Sequence, residues 1–237
     1  MTESTPILQI EAISKSYNKV QVLNVPHLNI NRGDIIGLVG NNGAGKTTML
    51  SLVLDLIKSS GGSILSKGNL VDKSEEWKQY TGAYLDENFL ISFLTPEEYF
   101  IFIGKLHDWN ERQTLQFLEK FESVFNGEIL GRKKYIRDLS KGNQKKIGIV
   151  AAFIGDPELI ILDEPFANLD PSTQIKIKNI ILDNKDGKTF IVSSHDIHQL
   201  SEISTRIVLL EKGEVLRDVI KDERTTSELS EYFESRS

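Results

Sequence analysis

Gly40-Asn41-Asn42-Gly43-Ala44-Gly45-Lys46-Thr47-Thr48 lies between an apolar run, Ile35–Val39, and a helix-like stretch, Met49–Ile57. Strand, glycine-rich loop and helix in that order make a phosphate-binding loop. The glycines let backbone N–H groups turn inward on a polyphosphate without Cβ clashes, and the helix start adds the positive end of its dipole. Lys46 supplies a mobile cation for the β- and γ-phosphates, and the Thr47 hydroxyl is placed to ligate Mg²⁺. The candidate phosphate contacts are Asn41, Gly43, Ala44, Gly45, Lys46, Thr47 and Thr48.

Outward from this loop, short apolar runs alternate with helical patterns. Strands are expected at Ile7–Ile13, Val20–Val25, Ser63–Leu65, Leu159–Leu162, Thr189–Ser193 and Ile207–Glu211, and helices at Ser172–Leu182 and Ile197–Ile203. Such alternation predicts an α/β fold with a parallel sheet and helices on its faces. The middle of the chain reads as helical: Pro96–His107, Glu111–Phe125 and onward to about Phe153. Tyr99, Phe100, Phe102, Phe117 and Phe121 there are expected in the core, since aromatics dominate buried area. The predicted organisation is one domain: an α/β core from 1–87 and 153–220, a helical insertion over 88–152, and a polar tail over 221–237, read as a short final helix or, by default, as solvated.

The 237 residues are 39% hydrophobic and 26% charged, as in a globular protein. With no cysteine, disulfides and thiolate–metal sites are excluded. Met1–Ile10 lacks the basic and apolar regions of a secretory signal, and no run approaches the roughly 20 apolar residues that span a bilayer. A net charge of −6 argues against a broad nucleic-acid-binding surface, and no direct nucleic-acid partner is expected.

A second constellation follows the strand Leu159–Leu162: Asp163-Glu164-Pro165. In phosphate-loop enzymes the neighbouring strand ends in an Asp that holds Mg²⁺, a role Asp163 fits. Glu164 would sit beside the γ-phosphate, where a carboxylate can orient or deprotonate water. A third is Leu139-Ser140-Lys141-Gly142-Asn143-Gln144, in which Ser140 is a good helix N-cap.

Together these motifs resemble the nucleotide-binding domains of ATP-binding cassette (ABC) proteins over about residues 7–215. The resemblance implies the ABC ATPase fold: a phosphate-loop core with a mixed sheet, an N-terminal antiparallel β subdomain and a helical insertion. It implies that Ser140 and Gly142 match a Leu-Ser-Gly-Gly-Gln signature, which binds the γ-phosphate of ATP held by another subunit. Lys141 and Asn143 depart from that signature, and the Ser-Lys-Gly form resembles exporters of the type-2 class. By the same resemblance Tyr17 stacks on adenine, Asp170 in Asn168-Leu169-Asp170-Pro171 contacts the partner subunit, and His195 is a switch for the γ-phosphate. Lys46, Glu164 and His195 would be catalytic. Aligned through Tyr84-Leu85, Glu87 takes the place of a Gln that touches Mg²⁺ or its water. A third carboxylate there either tightens the metal site or resists ionisation beside Asp163 and Glu164. The sequence leaves both open, together with a plain solvated loop acid.

The resemblance further implies a Mg²⁺-dependent ATPase peripheral to the cytoplasmic face of a membrane. Two copies, or one copy and a homologue, would sandwich ATP, with separate transmembrane permease subunits docked near Asp86–Thr95. Two other readings stand beside it: a soluble ABC clamp in translation or DNA repair, and a nucleotide-dependent switch with little hydrolysis.

Overall fold

At Ile35–Val39 every residue is buried, and successive side chains enter different cores. Ile35 and Val39 join one apolar cluster while Ile36 and Leu38 join another on the opposite face. Leu159–Leu162 and Phe190–Val192 divide in the same way. A strand covered on both faces needs apolar residues at every position, which is why these read as continuous runs.

The computed structural model describes residues 6–234. In chain order the elements are β1 (Leu8–Tyr17), β2 (Val20–Ile30), β3 (Ile35–Val39), α1 (Lys46–Val53), β4 (Gly61–Ser66), β5 (Asn69–Leu70), β6 (Thr81–Tyr84), α2 (Pro96–Leu106), α3 (Glu111–Leu118), α4 (Glu122–Phe125), α5 (Lys141–Ala151), β7 (Leu159–Leu162), α6 (Pro171–Asp183), β8 (Thr189–Ser194), α7 (Ile197–Ser201), β9 (Arg206–Glu211), β10 (Glu214–Ile220) and α8 (Thr225–Glu234). The strands form one sheet in the order β5-β4-β1-β2-β10-β9-β3-β8-β7-β6. Strands β9, β3, β8, β7 and β6 run parallel, whereas β5, β4, β1 and β2 are antiparallel and join through a single parallel pairing, Glu214 with Asn24. The sheet is mixed, as expected of an α/β phosphate-loop core with an antiparallel N-terminal portion.

Helices α2 to α5 pack on one face. Helix α2 opens on a capping box in which Thr95 and Glu98 satisfy each other's backbone N–H, with Pro96 at the first turn. Asn110 and Gln113 do the same for α3. Ring contacts run from Phe117 to Phe121 (5.1 Å), Phe153 (5.7 Å) and Phe190 on β8 (6.1 Å), joining helices to sheet.

Four expectations need correction. Phe102 is 42% exposed, because Tyr99, Phe100 and Gly104 form the buried face of α2 and Phe102 points to the other side. Helicity does not run on to Phe153 unbroken: α4 ends at Asn126 in the left-handed region (φ 53°), and α5 spans only Lys141–Ala151. The helix expected over Met49–Ile57 begins at Lys46 and stops at Val53, with Asp55 at φ 50° and Leu56 exposed.

The fourth concerns the tail, of which 235–237 lie outside the described residues. It carries α8, whose Leu229 is 1% exposed and belongs to the core cluster on the α5 side of the sheet. Leu229→Ala is expected to cost about 2–4 kcal/mol as a core truncation, a fall in Tm of roughly 5–15 °C for a chain of this size. Thermal denaturation reads this directly; a Tm within about 1 °C of the parent would return the segment to solvent.

Candidate functional site

The loop after β3 is shaped by two left-handed glycines, Gly43 (φ 81°) and Gly45 (φ 106°), a region closed to most side chains. Gly45 is the N-cap of α1 and brings no side-chain cap, so the N–H groups of the first turn are left to an outside acceptor. The concavity above them, about 330 Å³, is lined by Tyr17, Val22, Asn42, Gly43–Thr48 and Glu164. Asn42 lines it where Asn41 was expected. Asn41 instead turns its carbonyl inward, accepting from Ala44 N (3.0 Å) and Lys46 Nζ (3.4 Å). Tyr17 stands half-exposed at the rim, with Lys15 Nζ 4.7 Å from its ring centroid.

Parallel pairing of β3, β8 and β7 brings three loop ends together at their carboxyl edge. Lys46, from α1, is buried; its ammonium donates to Gly40 O (2.6 Å) and lies 3.1 Å from Glu164 Oε1. The other Glu164 oxygen faces His195 Nδ1 at 3.0 Å. Since an ionised carboxylate only accepts, Nδ1 carries the proton in that contact and Nε2 remains for another partner. Thr47 Oγ1 donates to Asp163 Oδ2 (2.5 Å), and Ser193 Oγ donates to Asp163 Oδ1 while accepting from Glu164 N (2.8 Å). Burial holds the Asp163 carboxyl above its ordinary pKa; the Ser193 and Thr47 hydrogen bonds and the Lys46 charge oppose that rise, and the Glu164 charge adds to it. A hydroxyl and a buried carboxylate with converging oxygens are the hard donor set that suits Mg²⁺, and a cation there would relieve the cost of the buried charge.

Glu87 lies in the short 3₁₀ turn after β6, where its Oε1 accepts from the Tyr84 phenol (2.9 Å). Burial, with Glu87 beside it, pushes the Tyr84 pKa up, so the phenol stays a donor. Ser140 caps α5, its Oγ accepting from Asn143 N (3.2 Å), and Gly142 sits against Leu169 of its own chain. Asp170 caps α6, accepting from Thr173 N (3.0 Å) and from the hydroxyls of Thr173 and Ser172 (both 2.6 Å), which hold its pKa low. Ser140, Gly142 and Asp170 are not among the residues lining the concavity over Gly43–Thr48.

Two contributors escape a reading of the sequence. Ser193 ties Asp163 to Glu164 through one hydroxyl; a serine at the carboxyl end of an apolar strand was its only local signal. Lys145 is buried in α5 and donates to Glu164 O (2.9 Å) and Ala167 O (3.0 Å), acceptors 19 and 22 residues away with no side-chain signature. Burial lowers its pKa, opposed by the charges of Glu87, Glu164 and Asp163.

A mixed sheet with a glycine loop, lysine and helix start at its carboxyl edge defines a phosphate-loop nucleotide-binding domain. The ABC transporter family model matches residues 23–167. An uncharacterised ABC transporter ATP-binding protein of Synechocystis is 35% identical over 223 residues, covering 89% of this chain and 62% of the relative. Another from Nostoc is 33% identical over 247 residues, covering 100% and 73%. The chain thus spans less than two thirds of the first relative's length and nearly three quarters of the second's. Among solved structures, the dimeric post-hydrolysis state of the ATP-binding cassette MJ0796 bound to ADP and Pi is 25% identical, with a TM-score of 0.77, covering 90% of this chain and 98% of that one. The chain belongs to the ABC transporter family.

Proposed function

We propose that this chain is the Mg²⁺-dependent ATP-hydrolysing subunit of an ABC transporter, driving export through separate transmembrane subunits by closing as an ATP-sandwich dimer. The observation that carries it is the convergence of Lys46, Thr47, Asp163, Glu164 and His195 on the open start of α1. The triphosphate is received by the N–H groups of α1's first turn and by Lys46, which leaves Glu164 for it, while Tyr17 stacks on the base. Thr47 and Asp163 would hold Mg²⁺, which when bound would supply positive charge to offset that of the phosphates. Glu164 then accepts a proton from the water whose oxygen attacks the γ-phosphorus, as the bond to the β–γ bridging oxygen breaks and ADP leaves. His195 turns its Nδ1–H from Glu164 to the γ-phosphate. Glu87 Oε1 stays with the Tyr84 phenol, which leaves the other carboxylate oxygen for the metal or its water.

The signature residues support a shared site. Gly142 sits by Leu169 of its own chain, and neither it nor Ser140 lines the concavity over its own phosphate loop, so both are available to a nucleotide held by another subunit. The helical segment 88–152 acts as the lever that carries them. A homodimer has both sites intact and is the preferred assembly. Near Asp86–Thr95 a groove of about 330 Å³, lined by Leu56, Trp77, Leu85, Phe89 and Tyr99 among others, suits a partner segment. Among the described residues no helix is long and apolar enough to cross a membrane. The Ser-Lys-Gly signature carries the export direction, and the place of work is the cytoplasmic face of the membrane.

The test is affinity capture of the Glu164→Gln chain with ATP from solubilised membranes of the native cell, with mass spectrometry of what is retained. A polytopic membrane protein in near-stoichiometric amount is the expected result. Ribosomal or DNA-associated partners without one would move the assignment to a soluble ABC clamp.

A further inference from the structure

Helix α5 is apolar where it meets the sheet, through Ile147, Ile149 and Val150, yet Lys145 is buried among them. Burying a lysine costs side-chain entropy and desolvation, and an apolar residue would fill the place at less cost. Its neighbour Lys146 lies 3.9 Å from the carboxylate of Glu128. Lys145 does something different: its ammonium is spent on two main-chain carbonyls, those of Glu164 and Ala167, in the turn that follows β7.

That turn is constrained from both sides. Glu164 has φ 44°, a left-handed conformation that a residue with a side chain holds only when its surroundings impose it. Ser193 of β8 takes its N–H, and Lys145 of α5 takes its carbonyl. Three residues on, Ala167 N closes the turn onto Glu164 O (3.3 Å), and Lys145 holds Ala167 O as well. Further on, Gln174 of α6 donates to Phe166 O and Leu169 O (both 3.1 Å), so the turn hangs between two helices. The carboxylates of Glu87, Glu164 and Asp163 all act on the Lys145 charge and favour its retention in this buried place.

We propose that Lys145 is a positioning residue: it ties the main chain of Glu164 and Ala167 to α5, so that the seat of the helical layer sets the aim of the Glu164 carboxylate. This rests on the ATPase reading above. A displacement of α5 is passed through two hydrogen bonds to the residue that handles the attacking water, and a misplacement of about 1 Å in such a group can cost a hundredfold in rate.

The experiment uses the full chain, with ATP turnover and the affinity for a fluorescent ATP analogue measured on the same preparations. Lys145→Met keeps the stem and removes the donors; it is expected to lower kcat roughly ten- to hundredfold while leaving nucleotide affinity within about twofold, the split that marks an interaction made only in the transition state. Lys145→Arg, which keeps charge and donors, recovers most of that rate. In a Glu164→Gln background Lys145→Met adds no further loss, because it acts through Glu164. Lys145→Gln, one atom shorter, is read in the same way should the Met variant not fold. A kcat within about twofold of the parent, a loss of affinity matching the loss of rate, or an undiminished second loss in the Glu164→Gln background would each overturn the proposal. A parent chain that binds ATP but never hydrolyses it would overturn the ATPase reading instead.

Discussion

Lys46→Ala is expected to weaken ATP binding about a hundredfold. A charged hydrogen bond contributes roughly 1.5–3 kcal/mol, and Lys46 is placed to make two to the phosphates. Part of that gain is discounted, because without nucleotide the ammonium is already engaged by Gly40 O and Glu164. Removing it also leaves the Glu164 carboxylate without its ion-pair partner beside an incoming polyanion, which restores part of the discount. A net of about 3 kcal/mol corresponds to two decades in affinity. Titration with a fluorescent ATP analogue measures it, with thermal denaturation as the control for folding. Undiminished affinity would count against the phosphate-loop reading of Gly40–Thr48.

Glu164→Gln is expected to do the reverse: turnover falls roughly 10²–10⁴-fold, the range of a lost general base, while ATP binding is retained. The structure adds a reason for retention. Glu164 Oε1 lies 3.1 Å from Lys46 Nζ, so ATP must take the lysine from its own chain's carboxylate. A neutral amide releases it more readily, and affinity should hold or tighten. The same ATP-loaded variant should shift to a dimer by size-exclusion chromatography with light scattering. Unchanged turnover would remove Glu164 from the role proposed for it.

These two residues also mark how much of the site was legible in the chain. Lys46 was found from its own neighbourhood, because a phosphate loop is built from consecutive residues. Glu164 was found because an apolar strand ending in Asp-Glu is a local pattern. Neither pattern reveals that the two side chains meet, since 118 positions separate them and only the parallel pairing of β3, β8 and β7 closes the distance. Glu87 shows the same boundary from the other side. Its alignment to a metal-touching position was visible, but its hydrogen bond from Tyr84 and its charge facing Lys145 were not.

Periodicity misled where a pattern describes composition rather than facing. Phe102 looked like its aromatic neighbours until the turn of α2 placed it opposite Phe100. The tail looked solvated because most of its residues are polar, yet one leucine, Leu229, seats α8 in the core. Strands β6 and β10 went unpredicted for different reasons. Thr81–Tyr84 is too short to show a period, and Glu214–Ile220 is a largely exposed strand with no apolar alternation, held by its pairing to β9.

The class of fold and the phosphate loop were readable in the chain alone, because each rests on residues adjacent in the sequence or on runs whose burial demands apolar side chains; the Asp163-Glu164 pair was offered by a local pattern, and His195 only by resemblance to the family. Which of these residues touch was settled by the packing of the folded chain. It paired Lys46 with Glu164 and Thr47 with Asp163, set Ser193 between the Asp163 carboxylate and the main-chain N–H of Glu164, and aimed a buried lysine of α5 at the main-chain carbonyl of Glu164. The physical reason is that hydrogen bonds to backbone carbonyls carry no side-chain signature, and contacts across a sheet depend on strand order, which local propensity does not encode.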